Sequence, residues 1–157
     1  MGGRQALSCD EDLIEAARAA MAHAHAPYSG FPVGAAVRLN DGTIITGANM
    51  ENASFGLSLC AEAVAIASAS SAGRLRDIVA LAIAAAAIET GESGSAVGLT
   101  PCGRCRQILA EAASLAARDI PVYCANALGD SRAVYRISEL LPHAFSAAAF
   151  SGGPRDE

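Results

Sequence analysis

The stretch VGAAVRLNDGTIITGA, residues 33–48, reads as two strands, Val33–Leu39 and Thr43–Ala48, joined by Asn40-Asp41-Gly42. Asp-Gly tolerates the positive φ that a tight hairpin turn demands, so the two runs are predicted to pair antiparallel. Upstream, Ser8 followed by Glu11 has the form of a capping box, opening a helix that runs to about His25. Its apolar positions Leu13, Ala16, Ala17, Ala20 and Met21 recur at helical spacing, and Pro27 stops it. Downstream, a loop over Asn49–Leu59 leads into a helix from about Cys60 to Ser71 that ends at Gly73.

Ile78–Ala86 then reads as a buried strand, and the Gly- and Ser-rich segment Glu89–Leu99 as a loop. Pro101 sits where proline favours the first turn of a helix, and Cys102 to Ala116 follows as that helix. Two short strands, Val122–Ala125 and Ala133–Ile137, precede a turn around Ser138–Leu141. The order α-β-β-α-β-α-β-β predicts an α/β fold with helices covering both faces of a mixed sheet. Residues 1–150 are expected to form a single catalytic domain, and the tail SGGPRDE, residues 151–157, to be disordered.

Composition narrows the function. Hydrophobic residues make up 52% of the 157, which excludes a disordered chain. The longest apolar run, Ile78–Ile88, has 11 residues, short of the ~20 that a spanning helix needs. MGGRQALS carries no hydrophobic signal core, and Ala6 replaces the Ser or Thr of a myristoylation signal. A cytoplasmic protein without a membrane partner is expected. Net charge is −5, and aromatic residues are 4% of the chain, which argues against a nucleic-acid partner. Five cysteines, an odd set, argue against a disulfide framework. Cys9 and Cys124 look like bystanders.

The other three cysteines fall at helix starts. Cys102 and Cys105, at i and i+3, place their sulfurs on one helix face. Cys60 stands at the opening of the other helix, where unpaired N–H groups favour thiolate over thiol. Converging starts would offer three thiolates to one cation, and a zinc with three protein ligands keeps a fourth position for water. Glu62 is close enough to exchange protons there without being a ligand. Singly, each residue has an ordinary explanation: a redox dithiol for Cys102 and Cys105, a small core residue for Cys60, a first-turn acid for Glu62. A dithiol redox role leaves Cys60 and Glu62 without a function. A structural zinc calls for a fourth ligand, and His23, His25 and His143 show no supporting spacing.

With APYSGFPVGAAV (26–37), DGTIITGANMENASF (41–55), LCAEAVAI (59–66), PCGRCRQIL (101–109) and ISELLPHAF (137–145), the chain resembles the small three-cysteine cytidine deaminases. The resemblance implies a three-layer α/β/α sandwich around a five-stranded mixed sheet and one zinc per subunit. It also implies a homotetramer with shared active sites. The implied reaction is hydrolytic deamination of free cytidine or 2'-deoxycytidine to uridine or 2'-deoxyuridine plus ammonia, in pyrimidine salvage. Asn49 and Glu51 would then bind the ribose hydroxyls, Phe31 pack on the pyrimidine ring, and Phe145 reach a neighbour's site.

Two positions depart from the family's pattern. Ala63 stands where an arginine usually follows Cys-Ala-Glu and offsets the excess charge of three thiolates on zinc. Arg104, between the later cysteines, is expected to take over that task, with Arg106 beside it as a helper. Both features resemble blasticidin S deaminase, so a blasticidin-type or other aminopyrimidine nucleoside deaminase is the alternative. Phe55 replaces a frequent Tyr and removes a hydroxyl expected near the sugar.

Overall fold

The computed structural model describes residues 10–85, 99–129, 131–147 and 150. The hairpin forms as its turn chemistry predicts. Strands β1 (Val33–Leu39) and β2 (Ile44–Ala48) pair antiparallel, with Gly34 opposite Ala48 and Arg38 opposite Ile44. Gly42 takes φ +89°, and the Asp41 carboxylate accepts from Thr43 N at 3.0 Å, closing the turn. β1 also pairs antiparallel with β3 (Ile78–Ala85), which runs parallel to β4 (Pro121–Asn126). β5 (Arg132–Arg136) closes the edge antiparallel to β4, giving the order β2-β1-β3-β4-β5. This is the five-stranded mixed sheet that the resemblance implies.

Strand alternation divides the core between two faces. Ala35, Val37, Leu81, Ile83, Val122 and Cys124 point to one side, where α2 (Ala61–Ser71) and α3 (Gly103–Leu115) cover them. Ala36, Ala80, Ala82, Ala84 and Ala125 point to the other, where α1 (Glu11–Ala20) packs with Leu13, Ile14 and Ala17. A register shift after Arg38 inserts one residue and turns Ile78 toward the α2 and α3 side. With both faces covered, β3 can be apolar at every position.

Glycine is required where helix backbones meet the sheet. A Cβ on Gly47 of β2 would lie 2.5 Å from both Ala61 O and Ala65 N. The first turns of α2 therefore rest directly on the strand. Gly34 plays the same part for α1, since its Cβ would meet Ala17 O at 2.0 Å.

Several boundaries differ from expectation. Asp10, rather than Ser8, caps α1: its Oδ1 accepts from Leu13 N at 3.2 Å, while Arg38 Nη2 donates to the same oxygen at 2.6 Å. The strand thus selects the cap, and Ser8 lies outside the described residues. α1 gives way at Met21–His23 to a tighter turn before reaching His25. Pro101 precedes the N-cap Cys102, so it stands outside α3 rather than in its first turn. β5 ends at Arg136, and Ile137–Leu140 form a short helix, α4, held by Glu139 Oε2 accepting from Arg136 N at 2.8 Å. Cys9, residues 86–98 and the tail 151–157 lie outside the described residues. Among the described residues, no helix is long and apolar enough to cross a membrane.

Candidate active site

The sheet order brings two helix starts together. Cys60 and Cys102 are the N-caps of α2 and α3, in the same extended backbone conformation, and neither side chain caps its own helix. Their Sγ atoms lie 3.7 Å apart. Cys105, buried in the first turn of α3, completes a group whose three sulfurs lie within 4.8 Å of one another. In a tetrahedral zinc site with Zn–S near 2.3 Å, sulfurs stand roughly 3.8 Å apart. The donor set and its spacing therefore fit that ion.

Charge is unevenly held in this cluster. Hydrogen bonding from Cys105, then from Cys102, pulls the Cys60 thiol down to about 6, with help from the charge of Arg104 and against burial. Cys105 is pushed upward, first by its bond to Cys60 and then by burial. Three sulfurs this close cannot all ionise without a cation among them. Glu62 is only 5% exposed, and burial, followed by the negative charge at Cys60, raises its carboxyl above the ordinary range. A carboxyl so placed is suited to proton transfer. Cys124 is a buried strand residue, as expected, its thiol raised to about 12 chiefly by burial.

A cleft of about 290 Å³ opens beside the cluster, lined by Phe31, Asn49, Glu51, Cys60, Glu62 and Cys102, with Leu99 and Thr100 on one wall. The backbone explains how Asn49 and Glu51 come to share it. Met50 exchanges both backbone bonds with Leu59, while Asn49 O accepts from His25 N and Glu51 N donates to His25 O. In that short ribbon, Asn49 and Glu51 fall on one side and Met50 on the other, where it is exposed.

Both polar side chains have further work that the sequence did not announce. Asn49 Oδ1 accepts from Val33 N at 2.8 Å, and Nδ2 donates to Phe31 O at 3.0 Å. Glu51 accepts from Tyr28 N at 2.9 Å, from Ser29 N at 3.1 Å and from the Ser29 hydroxyl. The Ser29 hydroxyl is the main reason its carboxyl lies below the ordinary range. The pair therefore anchors the loop that carries Phe31 into the cleft.

Other sequence candidates stand elsewhere. Phe145 is 61% exposed and does not line this cleft; it meets Phe150 edge-on at 5.6 Å. Phe55, also outside the lining, packs edge-on against Tyr28 at 5.6 Å. Arg104 is exposed and shares with Ala63 a groove between α2 and α3. Arg106 binds oxygens of residues 100, 101 and 140. Ser58, Leu99 and Thr100 line the cleft without having been singled out in the sequence, because none of them carries a motif of its own.

The model of the cytidine and deoxycytidylate deaminase zinc-binding region matches residues 7–121. A cytidine deaminase of Halalkalibacterium halodurans is 47% identical over 86% of this chain and 92% of its own length. One of Sporosarcina psychrophila is 40% identical over 87% and 90%. A crystal structure of cytidine deaminase from Burkholderia pseudomallei superposes with a TM-score of 0.74 at 40% identity, covering 87% of this chain and 99% of that one. With the fold, the three-thiol cluster and the length of these matches in agreement, the chain belongs to the zinc-binding cytidine deaminase family.

Proposed function

We propose that this protein hydrolyses free cytidine and 2'-deoxycytidine to uridine and 2'-deoxyuridine with release of ammonia, using one zinc per subunit held by Cys60, Cys102 and Cys105. One observation carries this reading: a buried Glu62 and the three-thiol cluster open onto the same cleft as Asn49 and Glu51. The metal, when bound, supplies a Lewis acid that lowers the pKa of water. Glu62 takes the proton that water gives up and delivers it to N3 of the ring as oxygen bonds to C4. It then carries the remaining hydroxyl proton to the amino group as the C4–N bond breaks, and ammonia leaves. Burial raises the Glu62 carboxyl, which favours its uptake of the proton at each stage.

Asn49 and Glu51 bind the sugar hydroxyls through the amide hydrogen and carboxylate lone pairs that the loop leaves open. Phe31 packs on the ring. Phe145, exposed and away from its own cleft, reaches a neighbouring subunit's site in a homotetramer. Exposed Met50, Phe55 and Leu57 give that assembly apolar surface to bury. Arg104 balances the charge of the thiolates in place of an arginine at Ala63. Residues 1–150 act as one catalytic domain in the cytoplasm, in pyrimidine salvage.

The charged residues lining the cleft among the described residues, Glu51 and Glu62, are acidic. Residues 86–98 contain no lysine or arginine. A nucleoside is thus favoured over its 5'-phosphate, and the named relatives favour cytidine over blasticidin S. The test is the ultraviolet absorbance change of zinc-assayed protein with cytidine, deoxycytidine 5'-monophosphate and blasticidin S in parallel. Conversion of cytidine with little of the other two is expected. Turnover of blasticidin S alone, or of the nucleotide in preference to cytidine, would refute the assignment.

A further inference from the structure

Arg106 follows the buried Cys105 on α3, and its half-buried guanidinium makes three hydrogen bonds. Nε donates to Pro101 O at 2.7 Å, Nη2 to Thr100 Oγ1 at 2.7 Å and Nη1 to Leu140 O at 2.9 Å. The first two acceptors lie on the stretch that leads the chain into Cys102, and Thr100 walls the cleft. The third is among the last carbonyls of α4, which a helix end leaves open. Gln107 adds a second clamp: Nε2 donates to Phe145 O at 2.8 Å, and Oε1 accepts from Phe145 N at 3.1 Å.

Two successive residues of the helix that carries Cys105 thus hold the cleft wall and the C-terminal segment. Cys102 itself is exposed and has no side-chain capping bond to fix it. A guanidinium presents its donors in a rigid plane and can set three acceptor directions at once, whereas an ammonium is a point charge on a flexible stem. We propose that Arg106 is a positioning residue for the metal centre and the cleft, acting through Pro101, Thr100 and Leu140 to fix where Cys102 and the cleft wall stand. This inference rests on the reading of the three cysteines as zinc ligands. Groups that orient metal ligands from behind commonly change metal affinity 10–100-fold when lost.

The test compares intact wild type with Arg106→Ala, Arg106→Lys and Gln107→Ala. It measures zinc loss to a chromogenic chelator, KM and kcat for cytidine, and circular dichroism. Arg106→Ala is expected to lose zinc about 10-fold faster or more. Its KM should rise with unchanged dichroism, and added ethylguanidinium should slow the zinc loss again. Arg106→Lys should also lose zinc faster than wild type, because one ammonium cannot span the three acceptors. Gln107→Ala should leave zinc loss near the wild-type rate. Zinc loss within about twofold of wild type in a folded Arg106→Ala overturns the proposal; if that variant does not fold, the same result in Arg106→Lys overturns it. A wild type that holds zinc but leaves cytidine unchanged refutes the deaminase reading alone, since zinc loss is read without substrate. A wild type that binds no zinc refutes both.

Discussion

The Sγ atoms of Cys60 and Cys102 stand 3.7 Å apart although the residues are 42 positions apart in the chain. Each occupies the N-cap position of a helix on the same face of the sheet, and Cys105 completes the group from the first turn of α3. The separation is far beyond the ~2.05 Å of a disulfide and close to the spacing of two sulfurs on one zinc. Three thiols gathered within 4.8 Å of one another from two helix starts suit one metal ion, whereas a Cys102–Cys105 dithiol would leave Cys60 without a part.

Cys102→Ala removes one of the three proposed ligands and, because Cys102 is exposed, leaves the core intact. Zinc measured by atomic absorption is expected to fall from about one per chain to a small fraction of that, with circular dichroism preserved. Chelation of the wild type should abolish turnover reversibly. A variant that retains full zinc would remove Cys102 from the ligand set.

Glu62→Gln keeps the shape of the side chain and takes away the proton exchange proposed for it. Zinc content should be unchanged, and kcat should fall by roughly 10²–10⁴-fold. A rate close to wild type would mean that another group moves the protons.

Arg104→Ala tests the charge balance. Arg104 shares a groove with Ala63, and its charge helps to hold the Cys60 thiol below its ordinary value. Faster zinc loss or lower kcat is expected, with partial recovery in the double variant Ala63→Arg, Arg104→Ala. Unchanged zinc and unchanged rate in the single variant would reduce Arg104 to a surface residue.

Gly47→Ala should disturb the centre from a distance. The new Cβ would meet Ala61 O and Ala65 N at 2.5 Å and push the start of α2 off the sheet. Urea unfolding should show a loss of about 1–3 kcal/mol, accompanied by weaker zinc retention. Gly56→Ala meets nothing within 4 Å and is expected to change stability by less than about 0.5 kcal/mol.

Asp10 links stability to pH. The Arg38 guanidinium, bonded to its carboxylate, holds the carboxyl below the ordinary range, and Leu13 N adds to the effect. A depressed folded pKa means that the contribution is full above the unfolded value and disappears as pH falls through the folded one. Asp10→Asn keeps a competent cap and removes the ion pair. Its Tm should lie below wild type at pH 7, by no more than about 1 kcal/mol in stability, since both groups are partly exposed. The two Tm curves should converge as pH drops below about 4; parallel curves would show that the pair contributes nothing.

The hairpin, the order of the helices and strands and the three cysteines at helix starts were legible in the sequence because each depends on neighbours a few positions away. Asp41-Gly42 states its own turn, and Cys102 and Cys105 share a helix face whatever surrounds them. The resemblance to a known family then supplied the reaction. Other features required the folded chain. Asp10 caps α1 because Arg38 arrives from β1, 28 residues on. Asn49 and Glu51 hold the Phe31 loop as well as facing the cleft, Phe55 packs on Tyr28, and Arg106 reaches Leu140 across 34 positions. Local periodicity carries no information about partners so far apart. They are brought together by the β2-β1-β3-β4-β5 order and by the close seating of α2 on Gly47, which decide where each helix begins in space.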